Sequence, residues 1–151
     1  MMFDTSKIGY RFPPFAVTVE RGKLRELALA LGDPNPIYQD QQAAQTAGYK
    51  DIPLPPTTAT LFLFWGNPQF VEQLLNLGLD VTRLMHREET YEYLAPIWPG
   101  AVLTGSITVR DGSTRTGPDG TSIDLVTLHM RYTNQEGQIV LTATTRLMSR
   151  E

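Results

Sequence analysis

From Thr57 to Trp65 the chain reads Thr-Thr-Ala-Thr-Leu-Phe-Leu-Phe-Trp, apolar on every side apart from its threonines. A helix with no polar face has to be enclosed by the rest of the molecule. Pro53, Pro55 and Pro56 force an extended approach to it. Pro56 suits its first turn, where a missing N–H costs nothing. From Arg83 onward the period of the pattern changes to two. Met85 to Tyr93 alternates loosely and stops at Pro96 and Pro99-Gly100. Three β-rich runs follow, Val102 to Arg110, Ser122 to Tyr132 and Gln138 to Met148, separated by the turn signals Gly117-Pro-Asp-Gly120 and Asn134-Gln-Glu-Gly137. One enclosed helix and a meander of long antiparallel strands predict an α+β fold in which a curved sheet wraps the helix.

The first half supplies what that helix is delivered to. Phe3 to Ala16 mixes aromatics with Gly9, Pro13 and Pro14 and reads as irregular. Thr18 is a candidate cap for a helix whose face is Leu24, Leu27, Ala28 and Leu31, with Glu20 in its first turn and Gly32 at its end. Asp33-Pro-Asn-Pro-Ile-Tyr38 then has no helical option, and such a rigid loop is expected to present Asp33, Asn35 and Tyr38 to a common point. Asp40 to Ala47 allows two helical turns closed by Gly48, and Pro68 opens an amphipathic helix through Phe70, Val71, Leu74, Leu75 and Leu77 to Gly78. A stiff polar loop at the mouth of an enclosed helix is how small-molecule sites are usually built.

Composition narrows the function. The 151 residues read as a single domain, 1–151, and 13 basic against 16 acidic residues give a net charge of −3, which argues against a nucleic-acid partner. Without cysteine there is no disulfide, thiolate chemistry or cysteine-held metal. His86 and His129 have no partner at helical spacing, so no metal site is expected. No apolar run suits a signal peptide or a membrane span, and a soluble cytoplasmic protein is the expectation.

Leu31-Gly-Asp-Pro-Asn-Pro-Ile-Tyr38, Ala43-Ala44, Ala47-Gly-Tyr49 and Pro55-Pro-Thr57 together resemble the MaoC-type (R)-specific enoyl-thioester hydratases and dehydratases, as do Tyr93, Pro96-Ile97, Pro99-Gly100 and Arg131-Tyr-Thr-Asn134. Nearly the whole chain is covered, and the branch it resembles is the amino-terminal, fatty-acid-synthase-like dehydratase domain. The resemblance implies a single hot dog, paired with a second one so that an acyl chain runs beside the central helix. It implies no cofactor, with a coenzyme A or acyl-carrier thioester as substrate or ligand. Active members use an Asp and a His five residues apart, with backbone N–H groups at the start of the central helix holding the thioester oxygen. Asp33 matches the aspartate, while Tyr38 stands at the histidine position and Pro55-Pro56 replaces the usual His-Gly pair. A phenol, with an unperturbed pKa of about 10, is a poor base near neutrality, and proline donates no N–H. Loss of an oxyanion donor typically lowers a rate by about a hundred- to a thousand-fold.

The resemblance therefore implies an acyl-binding subunit that works with a catalytic hot-dog partner, as a heterodimer or homodimer. Its binding residues would be Asn35, Pro56, Thr57, Thr58 and Phe62. The alternative is a self-sufficient hydratase using Asp33 with Tyr38 or His86. An acyl-CoA thioesterase ranks lower, because Glu72 is the only acid in the helical region of the central segment. A non-enzymatic acyl-binding hot dog is the remaining reading. Asp33 also reads as a turn residue, Tyr38 as a packed aromatic, and His86 and His129 as structural or surface residues.

Overall fold

A computed structural model describes residues 2–150. After a 3-10 turn at Thr5–Lys7 come strand β1 (Phe15–Thr18), helix α1 (Arg21–Leu31), a second 3-10 turn at Pro36–Tyr38, and α2 (Gln41–Thr46). The enclosed helix α3 (Thr58–Gly66) and α4 (Phe70–Asn76) follow, then a 3-10 turn at Val81–Arg83 and the strands β2 (Leu84–Tyr93), β3 (Val102–Thr116), β4 (Ser122–Thr133) and β5 (Ile139–Arg150). All pairings are antiparallel, in the order β1-β3-β4-β5-β2. This is the α+β arrangement expected: a long sheet curled round α3. Among the described residues no helix is long and apolar enough to cross a membrane.

The three runs expected to form a meander do so as β3, β4 and β5, while β2 lies at the far edge, paired with β5. Several expectations about the other elements are corrected. Thr18 caps nothing; it ends β1, a strand missed in the irregular amino-terminal segment, and Glu20 stands at the helix cap without a side-chain bond. Leu24 and Ala28 bury the inner face of α1, whereas Leu31 is 58% exposed. Phe64 of α3 is 55% exposed, so the apolar helix is enclosed on one side and open on the other.

The sheet closes on α3 through rows of inward residues. One row runs Tyr93–Leu141–Tyr132–Gly105–Phe15 and the next Tyr91–Ala143–Met130–Ile107. Phe62, fully buried, sets its ring 5.5 Å from that of Tyr132 and 6.0 Å from Trp65. On β3, a Cβ at Gly105 would overlap the Phe15 ring and one at Gly112 the Phe3 ring, so the two glycines make room for aromatics on the inner face.

Three register shifts interrupt the ladders; one leaves Val140 of β5 unpaired near the sheet's end, and the other two are bulges that share a row. Arg87 is the extra residue of β2 and Arg110 that of β3, and they flank the same row, Glu88–Arg146–Thr127–Asp111. Past its bulge β2 still faces α3, so His86 and Glu89, three apart in sequence, point the same way.

Candidate functional site

The proline loop is locked by its own side chains. Gly32 takes a left-handed conformation (φ 69°) that closes α1. Asp33 Oδ1 accepts the Asn35 N–H at 2.9 Å, and Asn35 Oδ1 accepts the Ile37 N–H at 3.2 Å, which starts the 3-10 turn. Gln39 Nε2 donates to the Asp33 carbonyl at 3.0 Å, and Arg25 Nε donates to the carbonyl of Gln39. Of the three residues expected at a common point, Asp33 and Tyr38 are close enough to interact electrostatically, while Asn35 gives its side-chain oxygen to the backbone. Burial raises the Tyr38 phenol above its ordinary value of about 10, and the charge of Asp33 raises it further.

Asp51 ties α1 to the approach to α3. Arg21 grips its carboxylate in a fork, Nε to Oδ1 at 3.1 Å and a terminal nitrogen to Oδ2 at 2.6 Å, and Ile52 N–H donates to Oδ1 at 2.7 Å. Nothing in the sequence pattern singled Asp51 out, since its partner is 30 residues away. The Arg21 guanidinium holds the Asp51 carboxyl below the usual carboxylate range, so the stability it adds is complete above the unfolded pKa of about 3.9 and is lost as pH falls through the lower folded value. Asp51→Asn is expected to lower stability by about 1 kcal/mol at neutral pH, discounted for the half-exposed arginine. The difference from wild type should close below about pH 4, measured by urea unfolding across pH; a constant gap would dismiss the ion pair.

At the start of α3, Pro56 and Thr57 are exposed and Thr58 is buried. The Thr58 amide donates to the Pro55 carbonyl at 3.0 Å, and its hydroxyl donates to the same oxygen at 2.6 Å. Tyr93 donates its hydroxyl to the Pro56 carbonyl at 2.7 Å. Beside this turn lies a cavity of about 530 Å³ lined by Tyr49, Pro53, Pro56, Tyr93, Leu94 and Trp98. Phe62 lies in the core, against Tyr132 and Trp65.

His86 belongs to a different group, on the flank of α3. Its Nε2 is 3.0 Å from Glu89 Oε2, which also accepts the Thr60 hydroxyl at 2.7 Å. The Thr60 hydroxyl meets the Tyr91 hydroxyl as well, and burial pushes that phenol up to about 12. Glu89 is only 4% exposed, yet its Oε1 has no partner among the described residues; neither have the buried hydroxyls of Tyr132 and Thr145. An unmatched buried acceptor of this kind carries a desolvation cost of about 1–3 kcal/mol. Glu89 and Thr145 line a second cavity of about 330 Å³, with Thr60, Leu63, Phe64 and His86 among its other walls. Sequence reasoning sought a carboxylate on the helix and missed this one on the strand. The skipped alternation around Arg87 was the available signal. Among the described residues no cluster of three His, Asp or Glu side chains is placed to hold a metal ion.

Three comparisons bear on this geometry. The family described as FAS1-like, dehydratase domain region, matches residues 6–143. A UPF0336 protein of Streptomyces avermitilis is 35% identical over 151 residues, spanning 99% of this chain and 97% of its own. Among solved structures, the C-terminally truncated HadBC (3R-hydroxyacyl-ACP dehydratase) complex of Mycobacterium tuberculosis is similar in fold, with TM-score 0.73 and 24% identity over 99% of this chain and 100% of that one. A MaoC-like dehydratase is similar at TM-score 0.75 and 26% identity, covering 95% of this chain and 42% of that one.

Proposed function

The chain belongs to the FAS1-like dehydratase-region family, within the MaoC-like hot-dog dehydratases, and from that premise we propose that it is the acyl-thioester-binding subunit of a hydratase or dehydratase, acting beside a catalytic hot-dog partner. Adding or removing water across a 2-enoyl thioester requires a group to move the proton at the α-carbon, a group to activate water, and N–H donors for the enolate-like oxygen. The observation that carries the reading is Tyr38. A phenol already raised above about 10 by burial, and raised again by Asp33, is unsuited to proton transfer near neutrality. The start of α3 supports the same conclusion: Pro56 has no N–H, and Thr58 gives both its amide and its hydroxyl to the Pro55 carbonyl.

An open sheet edge supports the partner reading. Strand β2 is the sheet's long edge, paired on one side only, and the exposed apolar side chains Phe64, Val71, Met85 and Leu94 lie on or beside the elements that flank it. The HadBC complex, similar in fold, is itself an assembly of more than one chain.

The test is a hydration assay with crotonyl-CoA, following loss of the enoyl absorbance. The purified chain alone is expected to give no turnover above buffer, and a complex with a catalytic hot-dog subunit is expected to be active. Robust turnover by the isolated chain, abolished in Asp33→Asn, would reverse the assignment in favour of a self-sufficient hydratase.

A further inference from the structure

The cavity on the flank of α3 is mostly apolar. Leu63, Phe70, Leu74, Leu84 and Leu147 supply aliphatic and aromatic surface. Four polar side chains also line it, Thr60, His86, Glu89 and Thr145, and two of them leave an atom unmatched on neighbouring strands. Glu89 of β2 and Thr145 of β5 stand directly opposite in register and face the same way, so their side chains meet. Glu89 Oε2 is committed to Thr60 and His86, while Glu89 Oε1 and Thr145 Oγ1 are buried and unpartnered among the described residues. Oε1 can only accept, and the threonine hydroxyl can donate.

We propose that this cavity is a specificity site for an alcohol on an aliphatic chain: the ligand hydroxyl donates to Glu89 Oε1 and accepts from Thr145 Oγ1, and the chain lies along the apolar walls. A ligand hydroxyl, like a water molecule, satisfies both atoms at once. A ketone would answer only Thr145, a plain alkyl chain would leave both atoms unmet, and a free carboxylate would face the charge of Glu89. The cavity borders Thr60 to Phe64, whereas the candidate reacting end lies at Pro55 to Thr58, so the hydroxyl selected here is one carried farther along the chain than the thioester. This deepens the acyl-binding reading and rests on it only for the thioester end of the ligand.

Two isomeric probes separate the hydroxyl from the chain that bears it: 1-octanol and 1-methoxyheptane, titrated into the full-length protein by calorimetry. The alcohol is expected to bind about tenfold tighter or better, the scale of a hydrogen bond to a charged acceptor. That preference should fall towards unity in both Glu89→Gln and Thr145→Val, each close to its parent in shape and checked for an unchanged thermal midpoint. Equal binding of the two probes by the wild type would overturn the proposal, with water alone then answering both atoms. Preference retained in both variants, or no binding of either probe, would overturn it as well. Octanoyl-CoA, titrated in parallel, keeps the two readings apart: binding of the thioester without any preference for the alcohol sinks the specificity site and leaves the acyl-binding role standing. Preference for the alcohol without thioester binding does the reverse.

Discussion

Phe62→Ala is expected to destabilise the protein by about 3–5 kcal/mol, seen as a lower denaturant midpoint with little change in the slope of the transition. The side chain is fully buried where helix and sheet meet, with Tyr132 on one side and Trp65 on the other. Alanine leaves a void that three separate elements would have to close together: α3 cannot move towards β4 without pulling Gly66 off β1, where a Cβ on that glycine would already stand 2.7 Å from the Ala16 carbonyl. The control is Tyr132→Phe, which keeps the ring and removes a buried hydroxyl that has no partner among the described residues. It is expected to be neutral, or stabilising by about 1 kcal/mol. A loss under about 1 kcal/mol in Phe62→Ala would mean that the core is centred elsewhere.

Phe64→Asp is expected to act on association and not on folding. Its ring is more than half exposed and packs at 5.7 Å against Phe70 on the face that α3 and α4 share with the open edge of β2. If that face receives the partner hot dog, a carboxylate at its middle should weaken the complex by at least about 30-fold, the size expected for an aromatic anchor in a protein interface. Light scattering or sedimentation reads the result, while the thermal midpoint of the isolated chain should move little. Association as strong as wild type would place the partner on another surface.

Much of this fold was legible in the chain because its signals are local. The apolar run at Thr57 to Trp65 announces a helix that must be enclosed, and Gly32, Gly120 and Gly137 mark ends and turns that the structure places at positive φ. What escaped was non-local. Strand β1 is four residues long, and its alternation, Phe15 and Val17 inward, is too brief to register as a period. Thr18 looks like a cap because Thr before an amphipathic run usually is one, but pairing with Val102 claims its backbone first. The exposed Leu31 fits the helical period yet has nothing above it, since period locates a face and not its cover. At the candidate site, the loop residues were found from spacing, whereas Asp51 and Glu89 owe their importance to partners 30 and 29 positions away.

The extra residues Arg87 and Arg110 act like a scored line in card, since bulges on either side of one row bend their strands and increase the local twist there. A strand of unbroken alternation with the same residues would turn His86 outward whenever Glu89 pointed inward, so the fold line decides parity as well as shape. Removing Arg87 altogether would leave both side chains aimed at α3 and flatten the corner they line. That His86 and Glu89 share one chamber therefore follows from one arginine counted along the backbone, while the chamber's chemistry comes from other residues.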